Sequence, residues 1–243
     1  VNTAGDGAES NSLSAATWSV PGAPSISAVT PSAGQLSVDF VAGSTGGATI
    51  TDYKYALSTD GGSSWSSWVS AVSTSSPVVI TGLTNGTAYQ VKLRAVNVIG
   101  DGAESVASSS ATPFTTPNAP TITSVTPGNA QLSVAFTLGG SGGSVVTNVE
   151  YSTDDGSSWT TPSPASTTSP IVVTGLTNGT TYQVKVRAVN AAGSGAASSA
   201  TAGTPRTVPG AATITGVTGG EKSLSVAFTA GSDGGASITD YKY

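Results

Sequence analysis

Two short segments place a carboxylate, several hydroxyls and a tryptophan in the same order. Residues 58–65 read Ser-Thr-Asp-Gly-Gly-Ser-Ser-Trp, and residues 152–159 read Ser-Thr-Asp-Asp-Gly-Ser-Ser-Trp. An Asp close before a Gly favours a tight turn, because the carboxylate accepts turn N–H groups and glycine tolerates a positive φ. Two other roles stay open, a sugar-stacking ring at Trp65, Trp68 or Trp159 and a calcium site, but calcium takes roughly six to eight oxygen ligands. We therefore favour a structural turn.

Residue types that usually carry catalysis are missing from the sequence. It has no His and no Cys, which removes the commonest general base, the commonest zinc ligands and thiol chemistry. No glycine-rich phosphate-binding segment precedes a helical pattern. We predict that the chain is not an enzyme and that it has no catalytic, cofactor-binding or metal-binding residues and no cofactor.

The charge balance argues against some partners. Thirteen acidic residues oppose eight basic ones, for a formal net charge of −5, whereas nucleic-acid binding requires clustered Lys and Arg. Four basic residues could form a stripe that binds polyanions, namely Lys92, Arg94, Lys185 and Arg187. We favour solvated positions on an exposed sheet face, and we expect no nucleic-acid partner. We also expect no membrane insertion, since no apolar run approaches the length of about 20 residues that a span needs.

The segments Asn85-Gly86-Thr87 and Asn178-Gly179-Thr180 have two interpretations. Both fit the acceptor pattern for N-glycosylation. Both also fit an ordinary turn in which Asn and Gly take a positive φ. We favour the turn.

A long internal repeat organises the whole sequence. The segment Gly82–Asn97 returns at Gly175–Asn190 with few changes, and Tyr89 and Tyr182 lie 93 positions apart. A repeat of this length is a complete small domain rather than a solenoid unit. The predicted boundaries give two complete repeats between two partial ones: 1–20, 21–115, 116–207 and 208–243.

The cut points of the repeat suggest a window on a longer array. Val1–Ser10 matches Val96–Ser105, near the end of a repeat, and Ile238–Tyr243 matches Ile50–Tyr55, part-way through one. The alternative is that half-domains at both ends pair their strands with identical chains and form a homopolymer.

Within each repeat the apolar residues alternate with polar ones. In residues 35–41, Leu36, Val38 and Phe40 share one face, and a similar alternation runs over residues 87–96, where Tyr89 and Val91 face inward. Residues 50–57 and 77–83 add two more strands. A period of two with frequent turns predicts an all-β antiparallel sandwich of six or seven strands.

These residues resemble fibronectin type III domains. The segment Leu83–Asn97 with Gly100-Asp101-Gly102 is similar to the E–F corner, F strand and F–G loop of that family, and Pro21-Gly22-Ala23-Pro24 is similar to its first strand. The resemblance implies tandem immunoglobulin-like sandwiches joined by short proline-containing linkers, and it makes Tyr89 and Tyr182 the tyrosine-corner residues.

Two departures from known families bear on individual residues. Trp is common in the second strand of the fibronectin family, whereas Phe stands here, and we expect it to fill the same core position at Phe40, Phe136 and Phe228. The loop after Asn97 lacks the Arg that precedes Gly-Asp in integrin-binding sequences, so that activity is not expected.

The Asp-containing segments also resemble the Asp-box of sialidase propellers, in which the box is a structural hairpin.

The resemblance implies a non-catalytic role. We expect a structural or adhesive segment of a bacterial-type extracellular surface protein, as in a stalk, sheath or filament. Its expected partners are neighbouring repeats of the same or identical chains, with surface glycans or proteins as further candidates. Two alternatives stay open: a spacer in a secreted polysaccharide-degrading enzyme, and a glycan-binding module.

Overall fold

A computed structural model describes residues 3–6, 8–9, 11 and 17–243, and the chain divides into two compact units, 1–113 and 114–243. The predicted partial repeat at 1–20 lies in part outside the described residues. Every strand pair that the structure describes is antiparallel. No described segment is helical, so the predicted all-β fold class is confirmed.

The first unit contains one sandwich of two sheets. The three-stranded sheet has the order β1-β2-β5, with β1 at Ser25–Ser32, β2 at Gln35–Val41 and β5 at Val78–Thr81. The four-stranded sheet has the order β4-β3-β6-β7, with β3 at Ile50–Ser58, β4 at Val69–Ser70, β6 at Gln90–Asn97 and β7 at Gly100–Asp101.

The second unit contains a matching sandwich and a further hairpin. One sheet has the order β11-β9-β8, with β8 at Thr121–Gly128, β9 at Gln131–Thr137 and β11 at Ile171–Thr174. The other has the order β10-β12-β13, with β14 also on β12; its bounds are Asn148–Ser152, Tyr182–Asn190, Gly193–Ser194 and Thr201–Gly203 for β10, β12, β13 and β14. The hairpin consists of β15 at Thr213–Gly220 and β16 at Ser223–Thr229.

Period-two alternation places the core between the two sheets of each sandwich. On β2, Leu36 and Val38 are fully buried, and they belong to one apolar cluster with Val91 and Leu93 of β6. The second sandwich repeats this cluster, as with Leu132 on β9. Burying one such side chain contributes about 1.5–3 kcal/mol, so these clusters supply the cohesion of a chain that has no disulfide.

The third copy of this pattern is open on its apolar side. Phe136 is 5% exposed on β9, whereas its equivalent on β16, Phe228, is 43% exposed. Phe228 contacts Tyr241, with 4.5 Å between ring centroids. No second sheet covers this hairpin in the part of the chain that the structure describes, so the core role of Phe228 stays a prediction.

The four-stranded sheet of the first unit has very short edge strands. Both β4 and β7 have two residues. Beyond β7 the chain stays beside β6, and serine hydroxyls take over part of the pairing. The Oγ atoms of Ser105 and Ser108 accept the N–H groups of Leu93 and Val91, each at 3.0 Å. This side of the sheet is consequently an irregular mixture of side-chain and backbone bonds.

No described segment offers a helix that is long and apolar enough to cross a membrane.

The equivalent phenylalanines of β9 and β16 provide a matched test of the core. Phe136→Ala should lower the free energy of unfolding of repeat 116–207 by about 3–5 kcal/mol, because it removes a buried ring and leaves a cavity. Urea unfolding followed by the amide NMR signals of each repeat measures this loss. Phe228→Ala should leave the transition of repeat 116–207 unchanged, and an unchanged transition in Phe136→Ala would contradict the strand assignment.

Candidate functional site

The loop after β3 is a turn organised by Asp60. The Ser64 hydroxyl donates to one Asp60 carboxylate oxygen at 2.5 Å, and the Ser64 N–H and the Ser58 hydroxyl donate to the other at 2.9 and 2.8 Å. These bonds favour the charged form, so they lower the pKa of Asp60 from 3.8 to about 2. The Gly62 N–H donates to Ser58 Oγ, and Gly62 has a φ of +88°.

The second Asp-containing loop has the same arrangement. Asp154 accepts bonds from the Ser152 hydroxyl and from the hydroxyl and N–H of Ser158, and its pKa is likewise lowered to about 2. Both carboxylate oxygens are therefore occupied by groups of the same loop. Among the described residues no group of three or more His, Cys, Asp or Glu side chains could hold a metal ion. The geometry supports the structural turn over a calcium site.

The tryptophans that follow the two aspartates lie over basic side chains of strands β6 and β12. In the first unit Lys92 Nζ lies 4.7 Å from the centroid of Trp65, and Arg94 Cζ lies 4.3 Å from that of Trp68. In the second unit Arg187 Cζ lies 4.2 Å from the centroid of Trp159. We call each set of tryptophans and cations a tryptophan face.

Each basic residue of the tryptophan faces also has an acidic partner, and so have Lys54 and Lys185. Arg94 and Lys54 both bind Asp101, Lys92 binds Glu104, Lys185 binds Asp155, and Arg187 Nε binds Glu150 at 2.6 Å. The four side chains of β6 and β12 are 20–27% exposed, so they are partly solvated, and each lies beside a carboxylate. Lys92, Arg94 and Arg187 also contact a ring. A polyanion would have to compete with these partners.

The Asn-Gly turns connect two loops of the same repeat. Asn85 Oδ1 accepts the N–H of Gly34 at 2.8 Å, and Asn178 Oδ1 accepts the N–H of Ala130 at 2.9 Å. Gly86 and Gly179 each have a φ of +84°, but the expected positive φ of Asn85 and Asn178 is wrong, since neither asparagine takes it. This geometry supports the turn interpretation, in which the amide oxygen holds the neighbouring β-turn.

The tyrosine-corner bonds are present in both repeats. The Thr84 N–H donates to Tyr89 Oη at 3.2 Å, and the Thr177 N–H donates to Tyr182 Oη at 3.0 Å. Each ring contributes to or packs against the apolar cluster of its sandwich. The predicted structural role of these tyrosines is confirmed.

Two asparagines with a structural role are missed by the sequence reasoning. Asn97 ends β6 on its inward face, and its Nδ2 donates to the carbonyls of Ser19 and Thr45 at 2.8 and 2.9 Å. Asn190 repeats this at the end of β12, with bonds to Thr115 and Ser141. A polar residue in the inward register of a strand is the signal that could have found them.

The lowered carboxyl pKa values predict a specific acid response. In the folded state Asp154 has a lower pKa than in the unfolded chain, so its stabilisation is complete above pH 3.8 and is lost as the pH falls towards 2. Asp154→Asn should therefore lower the melting temperature of repeat 116–207 at neutral pH and flatten its fall between these pH values. Melting followed by circular dichroism from pH 2 to 7 measures this. Asp39→Asn removes the same charge without touching a turn, and an identical profile for the two variants would refute the prediction.

The ring–cation contact can be isolated by a double-mutant cycle. Trp68→Ala, Arg94→Ala and the double variant should give a coupling energy of about 0.5–2 kcal/mol, the range for cation–π pairs from exposed to desolvated sites. Urea unfolding of repeat 21–115 measures it. Trp159→Ala, on the other repeat, should show no coupling to Arg94→Ala. Additive effects of Trp68→Ala and Arg94→Ala would show that the contact contributes nothing.

Comparison with known proteins matches both sandwiches to one family. The model of the fibronectin type III domain matches residues 19–111 and 115–204. Among solved structures, the chain is similar to the FN1–FN3 domains of chicken CNTN1, with 20% identity over 86% of this chain and 75% of that chain; the TM-score of 0.37 is too low to carry weight. A search of the curated proteins finds no match. With the family model covering most of its length, the chain belongs to the fibronectin type III family.

Proposed function

We propose that the chain is a segment of an extracellular array, as in a stalk, sheath or filament on a prokaryotic surface. Tandem fibronectin type III domains are structural or spacer modules. The observation that carries the proposal is that the turn aspartates and the strand-end asparagines make the same internal bonds in both complete repeats. Asp60 and Asp154 close the same turn, and Asn97 and Asn190 bind equivalent carbonyls.

This repetition is expected of a spacer. Function resides in sites placed on a common fold, and the polar side chains that recur in both repeats are used in internal bonds. Here the turn aspartates and the strand-end asparagines keep both their residue types and their contacts. The low content of charged residues, 9%, and the absence of Met and Cys suit an exposed setting outside the cell.

The tryptophan faces bear on the alternative of glycan binding. Each of the three rings has a cation on one face, and the carboxylates that could bind sugar hydroxyls are engaged in ion pairs. These contacts favour a stabilising role of the tryptophans over sugar binding.

Assembly of identical chains into a homopolymer stays a prediction.

Antibodies raised against the chain test the proposed location. On intact cells of the source organism they should label the surface to the same extent as on permeabilised cells, and external protease should remove the signal. A cytoplasmic protein that stays protected is the control. Labelling that requires permeabilisation would refute an extracellular array, and recovery only in the culture fluid, joined to a glycosidase, would favour the enzyme spacer.

A further inference from the structure

The linker after the second complete repeat is bonded at three successive residues. The Pro205 carbonyl accepts the N–H of Gly179, and the Arg206 N–H donates to Gly128, both within repeat 116–207. The next residue, Thr207, donates its N–H to the carbonyl of Gly234, in the loop after β16. The chain therefore passes from one repeat to the next without an unbonded linker residue between them.

Close to this linker the backbones of the two repeats touch. A Cβ atom placed on Gly235 would lie 2.4 Å from the nitrogen of Gly179 and 2.9 Å from the carbonyl carbon of Asn178. Real Cβ atoms do not approach backbone atoms so closely, so the contact requires glycine at position 235. Gly235 also has a φ of +90°, which favours glycine independently.

Both sides of this contact are held in place by their own repeats. On one side, the Asn178 amide binds Ala130 N and Asn129 Oδ1 at 2.9 and 2.8 Å. On the other side, Asp233 Oδ1 accepts the N–H of Gly235 at 2.9 Å. Because neither loop must be ordered when they meet, the association costs little conformational entropy.

We infer that the Asn178–Gly179 corner is a docking surface for the Gly234–Gly235 loop of the following repeat. The partner that it fits is another copy of the same repeat with glycine at the second loop position. Together with the bonded linker, the contact fixes the orientation of residues 208–243 on repeat 116–207. The inference deepens the proposed spacer function by assigning it stiffness, but the contact is measurable whatever the location of the protein.

The residue types of both sides recur in the other copies. The equivalent loops contain Gly46–Gly47 and Gly142–Gly143, with φ values of +68° and +85° and of +72° and +91°, against +67° and +90° at Gly234–Gly235. The equivalent corner contains Asn85–Gly86. The repeat unit therefore carries both a corner and a loop of the kind that meet in the second unit.

Distance measurements between two spin labels test the fixed orientation. The chain has no Cys, so Val172→Cys on β11 and Glu221→Cys at the tip of the β15–β16 hairpin give two unique labels at exposed sites. The labelled full chain should give one narrow distance distribution by pulsed electron paramagnetic resonance. Adding Gly235→Ala should broaden or shift it, because the new methyl group cannot fit against Gly179.

A matched glycine separates the contact from backbone strain. Gly175 has a φ of +77° and nothing within 4 Å of its would-be Cβ, so Gly175→Ala should leave the distribution unchanged. Gly179→Ala, whose Cβ would lie 3.3 Å from the Cα of Gly235, should have a smaller effect than Gly235→Ala. Urea unfolding of repeat 116–207 should be unaffected by Gly235→Ala. A broad distribution in the parent chain, or equal results for Gly235→Ala and Gly175→Ala, would overturn the inference.

Discussion

The structure depends on side-chain amides that satisfy loop backbone at both ends of each sandwich. A buried or half-buried carbonyl without a partner is costly, and a chain with 9% charged residues and no His or Cys has few groups to supply one. Asn97 and Asn190 bind the carbonyls of the entering chain and of the loop after β2 or β9. Asn85 and Asn178 hold the opposite end. Side-chain amides thus hold loops at both ends of each sandwich.

The low content of charged residues also accounts for the arrangement of the tryptophan faces. Few charges are available, and Lys92, Arg94 and Arg187 are each placed where they contact both a ring and a carboxylate. Arg187 shows this arrangement, since its guanidinium lies over Trp159 while Nε binds Glu150 on the adjacent strand. A planar guanidinium suits this double contact better than an ammonium group. The outer face of the sheet is thereby stabilised by partly desolvated polar groups rather than by a second apolar layer.

The strands could be predicted from the sequence because they depend on local alternation, and the tyrosine corners because the family resemblance implies them. Alternation in residues 35–41 gives the bounds of β2 as the structure has them, and the implied corner bond of Tyr89 is made with Thr84. The partners of Lys92 and Arg94 could not be predicted, since they lie on loops whose paths the pattern leaves open. The turn at Ala130 shows a similar limit: its φ is +53° although it is not glycine, and its N–H is bound by the distant Asn178.

The short edges of the four-stranded sheet have a consequence for neighbours of nearly identical sequence. Tandem copies face one another at high local concentration, and a free strand edge could then pair with the wrong domain during folding. In the first unit β4 and β7 each offer only two residues, and beyond β7 the bonds to β6 mix backbone bonds with bonds from the Ser105 and Ser108 hydroxyls. Such an edge gives an incoming strand no continuous ladder to extend. The irregular edge of the sheet therefore disfavours strand pairing between repeats, and with it misassembly and aggregation.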